Sequence, residues 1–181
     1  MRILFYSATY PTLNRPGGIG TYTRHLARAL ADLGHEVRVL TPTNDAPGRC
    51  PGDGRVRLEA VRSGRLALLD RVVPGAGACL RVGSSVRHRV RRLGLDIVEF
   101  PNWEGLGLWY SWRRPAPLVV RLCTSARESA EIDGVAAGRE VCWDVRREEW
   151  MIRAADRLIA NSEAHRRRIA AEAGVDADRI R

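Results

Sequence analysis

Short apolar, β-rich runs alternate with helix-spaced segments from one end of this chain to the other, and that alternation constrains the fold more than any single motif. The runs are Ile3 to Ser7 (ILFYS), Glu36 to Leu40 (EVRVL), Val56 to Val61 (VRLEAV), Asp96 to Phe100 (DIVEF), Leu118 to Leu122 (LVVRL) and Arg157 to Ala160 (RLIA). A continuous apolar run such as ILFYS is what a strand buried on both faces looks like, whereas the apolar–polar alternation of VRLEAV reads as a half-exposed strand. Between them, Thr21 to Leu33 carries helical spacing, with Tyr22, Leu26, Ala29, Leu30 and Leu33 on one face and Gly34 as its stop. Further helices are expected over Ala78 to Leu93, Glu104 to Trp112, Glu140 to Ala155 and Ser162 to Ala173. Thr41-Pro42 closes the second strand, and the Pro-, Gly- and Asp-rich stretch from Thr43 to Gly54 reads as a loop. Strands alternating with helices predict an α/β fold: a doubly wound, mostly parallel sheet with helices on both faces. At 181 residues the chain is one Rossmann-like domain, large enough to hold a core without disulfide or metal staples.

No apolar run approaches the length of a membrane span, and the opening MRILFYSATYP lacks the features of a signal peptide. Cys50, Cys79, Cys123 and Cys142 are widely spaced and form no C-x-x-C pair, so reduced thiols in a cytoplasmic protein are expected. His25, His35, His88 and His165 do not cluster with them, and no metal is expected. The formal charge is +9, and every basic residue is arginine. That surplus favours anionic partners. Nucleic acid is not expected among them, because no helix-turn-helix, zinc-finger or RNA-recognition signature accompanies the charge. The segment Arg81, Arg87, His88, Arg89, Arg91 and Arg92 has two readings: peripheral contact with the inner face of an anionic membrane, or an ordinary surface helix.

In an open parallel sheet, ligands bind beyond the C-terminal ends of the strands. The most distinctive strand-end feature is Pro16-Gly17-Gly18-Ile19-Gly20-Thr21, ahead of the first helix. Glycines allow close backbone approach, and a helix start offers free N–H groups and a positive dipole end. Thr21 is the expected N-cap. A dinucleotide site is excluded: Thr23 stands where the fingerprint needs its third glycine, and Leu40-Thr41-Pro42 lacks the ribose-binding acid. No glycine is followed by Lys-Ser/Thr, so a phosphate-binding P-loop is absent as well.

Taken together, the opening MRILFYSATYPTLNRPGGIGTYTRHLARALADLGHEVRVLTP, then DIVEFPNWEG, PLVVRLCTSARES and ADRLIANSEAHRRRIA, resembles the N-terminal domain of retaining family-4 glycosyltransferases of the GT-B fold. The resemblance covers essentially the whole chain, in order. It implies an acceptor-side domain facing a second, donor-binding domain. No counterpart of that second domain is present in this chain, which ends while Gly174 to Asp178 leads toward another strand. The implied reaction is transfer of a sugar from a nucleotide sugar to a sugar, lipid or small-molecule acceptor, with retention and with no cofactor or metal. Gly17, Gly18 and Gly20 would line the cleft. One departure stands out. The family often has histidine after the fifth strand, whereas Arg121-Leu122-Cys123-Thr124 puts Cys123 there, with Thr124 beside it. A thiol cannot match an imidazole's hydrogen bonding to a sugar hydroxyl. A non-catalytic half or degenerate homologue that pairs with another chain is therefore the alternative.

Other strand-end residues carry two readings each. Asn102 and Trp103 are placed to contact an acceptor, and Trp103 can also pack a short helix with Trp109, Tyr110 and Trp112. Glu128 and Glu131 can act on an acceptor hydroxyl or stand in solvent. Asn161 and Ser162 can line the cleft, and Ser162 also reads as a helix cap.

Overall fold

A computed structural model describes residues 1–13, 17–43, 52–62, 66–136 and 138–181. Pro16, Cys50 and most of the loop expected between Thr43 and Gly54 lie outside the described residues. The strands are β1 (Arg2–Tyr6), β2 (Glu36–Thr43), β3 (Arg57–Arg62), β4 (Ile97–Pro101), β5 (Leu118–Leu122) and β6 (Arg157–Ala160). They form one six-stranded sheet in the order β3-β2-β1-β4-β5-β6, and every pairing is parallel. The expected doubly wound fold is what the chain adopts. Chain direction across the sheet reverses between β1 and β4, so the topological switch point lies at their C-terminal ends.

The helices are α1 (Gly18–Asp32), α2 (Ala67–Val72), α3 (Ala76–Leu93), α4 (Leu108–Ser111), α5 (Ala126–Ile132), α6 (Arg139–Ala154) and α7 (Glu163–Ala173). On one face of the sheet Ile3, Phe5, Val37 and Val39 pack with Ala27 and Ala31 of α1. On the other, Leu4, Tyr6, Val98, Phe100, Val120 and Leu122 meet α3, α4, α6 and α7 through Val82, Val86, Tyr110, Met151 and Ile169. Strand residues of alternate parity feed the two clusters, as a pleated sheet covered on both sides requires.

Four expectations are corrected. The buried stripe of α1 is Gly20, Thr23, Ala27 and Ala31, bordered by Leu26 and Leu30. Tyr22 and Leu33, expected inward, are 40% and 75% exposed. Small residues win this face because the helix lies hard against the chain: a β-carbon at Gly20 would sit 2.5 Å from the Thr9 carbonyl oxygen. Second, β2 runs through Thr41-Pro42. Pairing with β1 ends at Leu40, so Pro42 pairs only toward β3, where a missing N–H is tolerated. Third, Glu104 to Trp112 is not one helix. A 3-10 turn at Trp103–Gly105 precedes α4, because Glu104 and Gly105 have φ of 55° and 60° and interrupt any right-handed run. Fourth, α2 and α5 are additional to the expected helices. The second has a readable signal: Ser125-x-x-Glu128 is a capping-box sequence, and the Ser125 hydroxyl accepts the Glu128 N–H at 3.1 Å.

After α7, where the sequence points toward another strand, the chain makes a 3-10 turn at Ala177–Arg179 and then a single isolated bridge. Ile180 bridges to Leu158 in parallel, with Arg181 N–H donating to the Leu158 carbonyl at 2.9 Å and Ala160 N–H to the Arg181 carbonyl at 2.7 Å. Among the described residues no helix is long and apolar enough to cross a membrane.

Candidate active site

The first strand end delivers the chain to α1. Gly17 is the N-cap in extended backbone (φ −167°, ψ 160°), with no side-chain cap. Thr21 is therefore not the cap. Its N–H makes a helical bond to the Gly17 carbonyl at 2.9 Å, and its side chain is exposed. The helix begins on the glycines themselves, so the first-turn amides of Gly18, Ile19 and Gly20 precede that bond. Among the described residues nothing lies within 4 Å of a β-carbon built on Gly18, while Gly17 would be 3.3 Å from Thr9 Oγ1. Gly20 thus seats the helix, and Gly18 meets no neighbour among the described residues.

A buried ion pair fixes this helix start over the sheet. Arg121 of β5, 1% exposed, donates from Nε to Glu99 Oε1 of β4 at 2.8 Å and from Nη2 to the Thr23 hydroxyl at 3.2 Å. The Tyr22 ring stacks on its guanidinium at 3.9 Å. Burial pushes the Glu99 carboxyl up, while Arg121 pulls it down.

The ends of β4 and β5 are joined directly. Asn102 is fully buried. Its Oδ1 accepts the Cys123 N–H at 2.6 Å, and its own N–H donates to the Arg121 carbonyl at 3.0 Å. Cys123 is a buried thiol that burial pushes up, so it is neutral and poorly nucleophilic. Thr124 beside it is exposed. Trp103 is half-buried and donates its indole N–H to Glu104 Oε1 at 3.1 Å.

Two buried polar residues of α6 grip this region. Glu148, 2% exposed, accepts the Glu104 N–H at 3.0 Å and the Ala126 N–H at 3.0 Å. Burial raises its carboxyl to about 8, against the pull of those two N–H groups and of Asn102. The Asn102 amide nitrogen faces that carboxyl without a hydrogen bond of good geometry. Arg147, 4% exposed, donates from Nε to the Glu104 carbonyl at 3.1 Å and bonds also to the Pro74 carbonyl and to Asp144.

The remaining expected residues fall outside this cluster. Ser162 caps α7, its hydroxyl accepting the His165 N–H at 3.2 Å. Asn161 is exposed. Glu131 and Glu128 are engaged by Arg168, at 2.5 Å and 3.7 Å, which ties α5 to α7. In α3, Arg87 donates to the Trp109 carbonyl at 2.7 Å and Arg89 to Glu59 at 2.7 Å; His88, Arg91 and Arg92 are exposed.

An all-parallel sheet of this order, with a glycine-started helix at the switch point, defines a Rossmann-like domain whose ligand side lies beyond the strand ends. The chain belongs to the glycosyl transferase 4-like domain family, whose model matches residues 17–181. It is 30% identical over 183 residues to a D-inositol 3-phosphate glycosyltransferase of Kineococcus radiotolerans, a match covering 94% of this chain and 40% of that protein. The chain thus spans about two-fifths of that relative's length. Among solved structures it resembles sucrose-phosphate synthase from Thermosynechococcus elongatus (TM-score 0.69, 18% identity, 92% of this chain and 44% of that one). It also resembles the catalytic domain of starch synthase IV from Arabidopsis thaliana (TM-score 0.60, 12% identity, 96% and 47%). At these identities the likeness is one of fold.

Proposed function

We propose that this chain is the acceptor-side half of a retaining glycosyltransferase that moves a sugar from a nucleotide-sugar donor to a hydroxyl-bearing acceptor. The observation that carries the reading is the open start of α1 at the switch point. Among the described residues Gly18 leaves room for a ligand there, and the first-turn amides suit the negative charge of a leaving diphosphate. In the reaction an acceptor oxygen bonds to the anomeric carbon, the bond from that carbon to the donor phosphate breaks, and the acceptor proton leaves toward the departing phosphate. Neither metal nor cofactor takes part on this reading. Trp103 and Thr124 at the ends of β4 and β5 face the acceptor, whereas Asn102, expected to contact it, is buried beneath them and ties the two strand ends together. Cys123 contributes its backbone, and its buried thiol does not substitute for an imidazole. Gly17, Gly20, Thr21, Asn161 and Ser162 shape the rim.

The relative's activity makes D-inositol 3-phosphate the first acceptor to try. Peripheral contact with an anionic membrane through the Arg81–Arg92 segment would fall to the exposed His88, Arg91 and Arg92, because Arg87 and Arg89 bond inward. The buried thiols of Cys79 and Cys123 suit the reducing cytoplasm.

The test is turnover by the full-length polypeptide of UDP-glucose, UDP-N-acetylglucosamine and GDP-mannose, with D-inositol 3-phosphate or myo-inositol, and the anomeric configuration of the product. Gly18→Val should lower kcat/KM at least tenfold with an unchanged melting temperature. Full activity in that variant would remove α1 from the site.

A further inference from the structure

The strand end after β4 is held in a conformation that its sequence does not favour. Glu104 has φ 55°, a left-handed backbone that strains a non-glycine residue and persists only where its surroundings over-determine it. Here they do. The Glu104 N–H is taken by Glu148 Oε1 at 3.0 Å, its carbonyl by Arg147 Nε at 3.1 Å, and its carboxylate by the Trp103 indole at 3.1 Å. Gly105 follows with φ 60°, pressed so closely on α6 that a β-carbon there would lie 2.5 Å from Arg147 Cβ. The same Glu148 carboxyl reaches Ala126 N–H at 3.0 Å, at the start of α5 and two residues past Thr124. Arg147 meanwhile anchors to the Pro74 carbonyl at the junction of α2 and α3.

Burying a guanidinium and a carboxyl on a helix that also buries Met151 and Ile152 is expensive. Apolar residues would serve packing alone at least as well. What these two polar side chains supply is direction: donors and acceptors that fix backbone groups of two separate strand-end loops.

The geometry points to Arg147 and Glu148 as positioning residues of the candidate site, acting through Glu104 and Ala126 to hold the Trp103–Glu104 pair and Thr124 in one fixed arrangement toward the acceptor. This rests on the glycosyltransferase reading above for its acceptor. An indole ring with a carboxylate hydrogen-bonded to its edge offers a stacking surface and a hydroxyl acceptor side by side, which suits a polyol or sugar ring.

The test uses the full-length polypeptide with D-inositol 3-phosphate or myo-inositol as acceptor probe, and donor and acceptor KM measured separately. Glu148→Ala and Arg147→Met should raise acceptor KM at least tenfold while donor KM stays within twofold. Glu148→Gln, which keeps the shape of the protonated acid, should restore acceptor KM to within about threefold of wild type. Glu104→Gly is the variant that must fold, because glycine accepts φ 55° without strain. It should keep or raise the melting temperature and still raise acceptor KM tenfold. Wild-type acceptor KM in both Glu104→Gly and Glu148→Ala would overturn the proposal. A second readout is independent of turnover: the Trp103 indole N–H and the Glu104 and Ala126 amides, followed by nuclear magnetic resonance and hydrogen exchange. Glu148→Ala should shift the first and deprotect the other two by tenfold or more. If the wild-type enzyme turns over no nucleotide sugar, the function reading fails while these signals still report on the clamp. If they are unmoved, the clamp itself fails.

Discussion

Replacing Glu148 by glutamine should make the protein more stable, and by an amount that grows with pH. Glu148 is 2% exposed, and burial raises its carboxyl from the ordinary 4.5 to about 8. The groups facing it are Asp144 on its own helix, the Glu104 and Ala126 amides, and Asn102 from the end of β4. The sign follows from proton counting. Below pH 4.5 both folded and unfolded chains carry the proton, and the group's contribution is fully present. Between 4.5 and 8 the unfolded chain loses its proton while the folded chain keeps it, so stability falls by about 1.4 kcal/mol per pH unit. From pH 5 to pH 8 the loss reaches about 4 kcal/mol, and above 8 it levels off. The glutamine side chain keeps the shape of the protonated acid and has no such slope. Asp144, itself raised to about 6 by burial, is present in both proteins and largely cancels in the difference. Urea unfolding of wild type and Glu148→Gln at pH 5, 6, 7 and 8.5 should give curves that diverge steadily, the variant ahead by about 3–4 kcal/mol at the top of the range. Parallel curves across that range would refute the buried, protonated carboxyl.

Two further substitutions probe how the glycine helix is seated. Gly20→Ala places a β-carbon 2.5 Å from the Thr9 carbonyl oxygen and 2.6 Å from its Oγ1. Overpacking of about 1–3 kcal/mol against fixed backbone should exceed a helix-propensity gain of about 1 kcal/mol. Thermal unfolding should therefore show a lower midpoint for Gly20→Ala and no drop for Gly18→Ala. Arg121→Met leaves Glu99 buried without its cation and should cost about 3 kcal/mol in urea unfolding near neutral pH. Adding Glu99→Leu should recover most of that loss, and failure to do so would mean the pair is not the coupled unit described.

What the sequence reveals tracks how much apolar signal each residue carries. β5 and β6 fall on Leu118–Leu122 and Arg157–Ala160 as expected, because continuous apolar runs leave few alternatives. The face of α1 is hidden from such a reading because its true contact stripe is Gly20, Thr23, Ala27 and Ala31, residues with almost no hydrophobic signal that matter by being small. Thr21 misleads as a cap for a related reason: the helix starts three residues earlier, on glycines that propensity disfavours. Arg147 and Glu148 do share helical spacing with the buried Met151 and Ile152. Charge ordinarily signals solvent, however, and only the carbonyls and amides they meet explain the inward turn. The left-handed Glu104 is not legible at all, since nothing in Trp-Glu-Gly distinguishes it from an ordinary turn.

The distribution of charge then separates the two ends of the site. Much of the arginine surplus is engaged in pairs along the flanks: Arg24 and Arg28 on Asp53, Arg38 and Arg89 on Glu59, and Arg168 on Glu131 and Glu172. Arg147, the arginine bonded to the β4 strand end, already bonds to Asp144 and to the Pro74 and Glu104 carbonyls. Among the described residues at the ends of β4 and β5 the groups presented are neutral or acidic: Trp103, Glu104 and Thr124. The anion-binding chemistry of the switch point therefore concentrates on the amides at the start of α1. On the proposed reading, a diphosphate is favoured at α1 and a hydroxyl-bearing ring at Trp103–Glu104. Arg121 holds the first in place through Thr23 and Tyr22, and Arg147 with Glu148 holds the second.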